Sequence, residues 1–219
     1  MMRKYLINIF IAFAIFLSAC DKIKEPFMSG NTSNSDTSDI KQQYVLVEYF
    51  TGHRCPNCPK AAQQLKVLKE VYKDKLIFIS VHAGSFAIPM GVNYSQTDYR
   101  TPVGDELDGH FKLTEISTPN GLVNRKKLNN DIVIPPDSWG TMIAEEISQK
   151  PQMNINISQA IIENNDAKVK IKTDVLEELE GTFMISMYIV EDSIQSYQKN
   201  NNEQFGLVPD ISDYIHRFV

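Results

Sequence analysis

Cysteine is scarce in this chain, acidic residues outnumber basic ones, and the apolar run near its start is too short to span a bilayer. Three cysteines occur in 219 residues and only two of them stand close together, so a structural zinc knuckle, which needs four ligands, has no second cysteine pair to draw on. Lys and Arg number 22 against 27 Asp and Glu, a formal charge of −5 with no basic cluster. Such a balance offers nucleic acid no electrostatic footprint, and DNA and RNA are excluded as partners. No Met/His cluster of the kind that supports copper handling is present. The uncharged run Tyr5 to Leu17 is 13 residues long, where a lone spanning helix needs ~20. What remains is ordinary. With 42% hydrophobic and 22% charged residues, the chain belongs with globular proteins and has the length of one large domain or two small ones.

The short apolar run follows Arg3 and Lys4 and leads into Leu17-Ser18-Ala19-Cys20. A basic start, an apolar core and small residues before a cysteine predict a lipoprotein signal peptide over residues 1–19, with lipidation at Cys20. An ordinary secretory signal with a chance cysteine is the alternative. Cleavage before Cys20 leaves 200 residues, 20 basic against 27 acidic, a charge of −7. The expectation is an acidic body held to a membrane of the cell envelope by acyl chains rather than by a spanning helix. Residues 20–43, rich in Ser, Asn and Asp and without periodicity, read as the tether.

With Cys20 assigned to lipid, Cys55 and Cys58 have only each other. In an oxidising compartment they are expected to form a disulfide, whose loop is too short to staple distant elements. Their setting is informative. Tyr44 to Phe50 is a β-branched and aromatic strand, and Ala61, Leu65, Leu68 and Tyr72 recur at helical spacing after the pair. Pro59 restricts itself to a first turn, which puts the helix start near Cys55. Leu76 to His82 is a second apolar strand, parallel to the first across a βαβ crossover. A strand feeding a Cys-x-x-Cys at the head of a helix points to a thioredoxin-like redox domain over residues 44–150. Ser85–Ser117 reads as an insertion with a helix near 103–113, Pro119 opens a short edge strand, and a helix over 138–150 closes the domain. Residues 151–219 read as a smaller antiparallel β module. Its predicted strands are 153–158, 168–175 and 183–190, followed by a ragged loop over 196–210 and an apolar end at Tyr214–Val219 with no closing element. Either this module leans on the first domain or a partner, or the sequence is a truncated version of a longer chain; the expectation favoured is truncation.

Val45 to Ala62 (VLVEYFTGHRCPNCPKAA) together with Ser117 to Arg125 (STPNGLVNR) resembles the twenty-eight-kilodalton outer-membrane protein family, lipoproteins with a thioredoxin-like domain and a β-rich C-terminal part. The likeness covers residues 44–150 well and the C-terminal module loosely. It implies an α/β fold and an outer-membrane location, and adds little chemistry to the site itself.

At the site, Cys55 is the candidate nucleophile, its thiolate favoured by the helix N-terminus and by Arg54; Cys58 is the candidate resolving thiol. Thr118-Pro119 matches the superfamily's cis-proline loop, against the alternative of a trans proline at a plain strand start. Glu48 matches a buried acid that exchanges protons with Cys58, but stands one residue further from the first cysteine than that acid usually does, so strand alternation can turn it away. Asn57, being neutral, implies a less oxidising couple than a central His gives. His53, two residues before Cys55, reads as a solvated loop residue, with compensation for the neutral Asn57 as the alternative, and His82, His110 and His216 read as scattered. No cofactor and no metal is expected. The function expected is thiol–disulfide exchange with envelope-protein thiols or disulfides. A non-catalytic surface binding lipoprotein on the same scaffold is the rival class; copper handling by the thiols and His82 ranks third.

Overall fold

β1 (Val45–Thr51) is buried on both faces, and it is the central strand of a three-stranded sheet ordered β2-β1-β3. β2 (Leu76–His82) runs parallel to it, and β3 (Asn120–Val123) antiparallel, on the edge where a strand entered from proline belongs. Period-two alternation divides the side chains of β1 between two cores. Val45, Val47 and Tyr49 pack with Leu65 of α1 (Cys58–Tyr72) and with Trp139 and Ile143 of α4 (Pro136–Ile147). Phe50 faces the opposite way, onto Leu122, Ala83 and Leu113. Each such fully buried large side chain contributes roughly 1.5–3 kcal/mol.

The computed structural model describes residues 42–219 apart from residue 165, all within one compact unit. The expected signal peptide, Cys20 and nearly all of the tether lie outside the described residues. Within them the structure is a mixed α/β arrangement of small sheets and helices. Two expectations shift by a turn. α1 starts at Cys58 rather than near Cys55, because the Cys55 amide bonds Gly52 O at 2.9 Å and the Cys58 amide bonds Cys55 O at 3.3 Å, making turns of residues 52–58. The helix expected near 103–113 divides at Lys112, whose left-handed backbone (φ 55°) separates α2 (Pro102–Phe111) from α3 (Leu113–Ile116).

The C-terminal part departs further from the pattern reading. β4 (Met153–Glu163) and β5 (Asp166–Val175) do pair antiparallel, with a register shift at Ile157/Gln159, but both their faces are largely exposed. Residues 183–190 do not form the expected third strand. Their backbone has no ladder partner, Met184 and Ile189 face solvent, and Tyr188 instead reaches back to Glu48. The expected loop over 196–210 holds β6 (Ile194–Lys199), which pairs with β7 (Asp210–His216) around an irregularity at Tyr197. Nor does the apolar end go unpacked. The Ser80 amide donates to Phe218 O at 2.7 Å, and Phe218 meets Phe78 edge-on at 5.3 Å, which seats it against β2.

Candidate functional site

The end of β1 delivers the chain into Thr51-Gly52-His53-Arg54-Cys55, and the architecture there depends on Gly52. A Cβ at that position would lie 2.3 Å from Phe86 O, so only glycine admits the turn of residues 84–86. That approach lets the Arg54 amide bond Phe86 O at 3.0 Å. Cys55 and Cys58 form a disulfide, with Cα atoms 5.4 Å apart. Cys58 is the first residue of α1, so the pair sits at the helix N-terminus, and Tyr49 donates its hydroxyl hydrogen to Cys58 O at 2.9 Å. Arg54 is exposed.

Neither cysteine is open to solvent: Cys55 is 0% exposed and Cys58 2%. Both pack into the core with Tyr49, Ala61 and Leu65, and the end of β6 and the residues just after it bond the carbonyls of their loop. Gln198, buried in β6, donates its side-chain amide to Cys55 O at 2.8 Å and Gly52 O at 3.4 Å. The Lys199 amide bonds His53 O at 2.7 Å, and the Asn201 amide bonds Pro56 O at 3.2 Å. The Asn201 side chain reaches Asn57 Oδ1 at 2.6 Å. Nothing in the residue types around Gln198 signalled this role.

Thr118-Pro119 is cis, as the superfamily match implied. β3 pairs Asn120 with Phe50, so the next residue outward, Pro119, falls at the sheet end from which the cysteine loop departs. Thr118 Oγ1 is buried without a hydrogen-bond partner, while the Asn120 side chain ties the preceding turn to Leu113 O at 2.7 Å and to Ser117 O.

Glu48 is not beside Cys58. Even-numbered positions of β1 face the other core, and Glu48, 1% exposed, meets Arg125 through two bonds of 2.7 and 2.8 Å. Tyr188 donates to the same carboxylate at 2.8 Å. The carboxylate holds the Arg125 guanidinium above its ordinary pKa, and burial with the Glu48 hydrogen bond pushes the Tyr188 phenol up to about 12. Glu48 therefore belongs to an ion pair on the far face of the sheet. Arg125 was visible in the Asn-Arg of the family-like motif, but its partner was not.

The histidines also fall differently from expectation. His53 is buried, with Nε2 2.6 Å from Ile88 O, and only His110 is exposed. His82 and His216, 134 residues apart, approach at 3.3 Å between Nε2 and Nδ1. Tyr99 packs against all three buried rings, with centroid distances of 4.9 Å to His53, 5.1 Å to His82 and 5.3 Å to His216. Burial lowers the proton affinity of each, to about 3 for His82 and about 4 for His216. A cavity of about 940 Å³ runs beside this cluster, and Tyr49, Cys58, His82, Gln198, Tyr214 and His216 line part of it. Among the described residues, no three His, Cys, Asp or Glu side chains are grouped to hold a metal ion. No helix among them is long and apolar enough to cross a membrane.

No family model matches the chain, and no curated protein does. Solved structures give distant likenesses. HBP35 of Porphyromonas gingivalis matches with a TM-score of 0.48 at 17% identity, over 81% of this chain and 55% of that one. Protein AGR_C_4864 of Agrobacterium tumefaciens matches with a TM-score of 0.40 at 14% identity, over 60% of this chain and 57% of that one. The chain thus spans little more than half the length of either.

Proposed function

We propose that this protein is a thioredoxin-like thiol–disulfide exchange protein, held at the outer membrane by lipid on Cys20 and acting on envelope-protein thiols or disulfides. The observation that carries the reading is the Cys55–Cys58 disulfide at the N-terminus of α1, at the end of the sheet where Pro119 lies. The helix N-terminus favours negative charge, so on reduction it stabilises a Cys55 thiolate. That thiolate attacks a substrate disulfide and displaces one substrate thiolate. Cys58 then attacks the Cys55 sulfur, the second substrate thiolate leaves, and the Cys55–Cys58 disulfide returns. The reverse sequence oxidises a substrate dithiol. Glu48 takes no part, because it is paired with Arg125 on the opposite face.

One observation favours the rival reading of a binding lipoprotein with an inert disulfide: the burial of both cysteines. Replacing Cys58 with Ser separates the two. In an exchange protein Cys58→Ser leaves Cys55 unresolved, so mixed disulfides with envelope proteins accumulate on a non-reducing gel and vanish in Cys55→Ser. No captured protein in Cys58→Ser, even when Gln198→Ala is added to weaken the contact of β6 with the cysteine loop, overturns the exchange reading.

A further inference from the structure

The segment covering the disulfide binds its loop as an extended peptide would. Three donor groups arrive in order along the end of β6 and the residues just after it: the Gln198 carboxamide on Cys55 O and Gly52 O, then the amide of Lys199 on His53 O, then the amide of Asn201 on Pro56 O. Main-chain amides two residues apart, with a carboxamide just before them, are what an extended polypeptide offers to a row of carbonyls; His53 O and Pro56 O take the main-chain amides, while Gly52 O and Cys55 O, which also accept the turn amides of Cys55 and Cys58, share the carboxamide. The acceptors all belong to residues 52–56, the approach to the disulfide itself. We propose that this row of carbonyls is the polypeptide-binding groove of the disulfide site, and that residues 198–201 are its resident occupant, which an extended protein strand bearing Gln or Asn displaces.

The rest of the covering is less suited to move. Residues 84–88 are locked by the close approach at Gly52, and Ala83 and Ala87 are wholly buried. β6 and β7 form a sheet of only two strands, joined through turn residues 201–209 that are almost all exposed. A two-stranded hairpin has marginal stability of its own and opens at lower cost than the core. Away from the disulfide loop, His216 to His82 and Phe218 to Ser80 hold the far end of β7 from the turn, while Tyr197 and Lys199 meet the exposed Tyr94 ring and residues 203–205 approach α1. The turn and residues 198–201 can therefore lift while β7 stays seated. Closed, the hairpin hides both cysteines; open, it frees the groove and the disulfide together.

The proposal rests on the exchange reading for its purpose, but its test needs no partner and fails separately from it. The full chain is reduced with increasing dithiothreitol, which is oxidised to its cyclic disulfide as Cys55 and Cys58 gain two electrons and two protons. Under a closed hairpin the rate rises and then levels off, because opening becomes limiting. Gln198→Ala removes the carboxamide bonds and raises the rate about tenfold, the equivalent of one or two hydrogen bonds of this kind. A synthetic octapeptide of residues 195–202 slows the variant again, and the same peptide with Ala in place of Gln198 does not. Should Gln198→Ala fail to fold by circular dichroism, Asn201→Ala at an exposed position carries the test, with a smaller rise of about threefold from the lost side-chain bond. Equal rates in wild type and the folded variant, or a wild-type rate linear in dithiothreitol at every concentration, overturns the proposal.

Discussion

Glu48 illustrates how much one residue of offset decides in a strand. Side chains alternate, so the position next to Tyr49 faces the other core, and a carboxylate there is out of reach of Cys58. Buried at 1% exposure, it is satisfied by Arg125 and Tyr188, whose three bonds span 2.7–2.8 Å. Removing the guanidinium strands a buried charge, which costs more than the pair itself contributes. Arg125 is partly exposed, and water entering after its truncation reduces that penalty. Arg125→Ala is expected to lower stability by about 2–3 kcal/mol in urea unfolding. Glu48→Gln, by contrast, should leave the rate of disulfide reduction within about twofold of wild type, since no bond from Glu48 reaches the cysteine loop. A tenfold change would restore Glu48 to a redox role.

At the scale of elements, the β6–β7 hairpin is tied to the first sheet by His82 and His216, and these rings respond to acid. His82 faces His216 and Tyr99, with the charge of His53 also acting on it; His216 faces Tyr99 and Tyr214 as well. Burial is the first cause of their lowered proton affinity, and the neighbouring imidazole adds to it at His82. Both titrate near 6.5 when unfolded but at about 3 and about 4 in the fold. Between those limits the unfolded chain binds more protons, so stability is complete above pH 6.5 and declines as pH falls towards 4 and then 3. The urea midpoint should drop across that window, and His82→Gln with His216→Gln should flatten the drop; an unchanged slope would remove these rings as its source. Neither the contact nor the hairpin was legible in the sequence. β1, α1, β2 and the proline-entered β3 were, because continuous apolar strands and helical spacing are local signals. β6 carries no such signal: Gln195, Ser196, Gln198 and Lys199 are polar, and their strand is made by its partner β7 and by the carbonyls of residues 53–56. Residues 183–190 erred in the opposite direction. Their apolar content is strand-like, yet strand propensity produces no strand without a neighbour to bond.

For the molecule as a whole, the question is what the disulfide contributes beyond chemistry. It closes a loop of four residues, and the chain-entropy relation gives such a loop about 2 kcal/mol, against about 5 for a loop of a hundred. Both cysteines belong to the core that Leu65, Trp139 and Ile143 hold, whereas the core of Phe50, Leu113 and Leu122 on the other side of β1 contains neither. Nor do the bonds made by residues 198–201 involve sulfur, since every acceptor in the cysteine loop is a backbone carbonyl or Asn57 Oδ1. The double variant Cys55→Ser, Cys58→Ser should fold, keep its far-ultraviolet spectrum, and lose in urea unfolding about 2 kcal/mol from the opened loop and about 1 kcal/mol more for each hydroxyl placed at these buried positions. A loss of that size leaves the fold intact through a redox cycle, as an exchange protein requires. A double variant that cannot fold would mean that the bond is structural, and the rival reading of an inert disulfide would then stand.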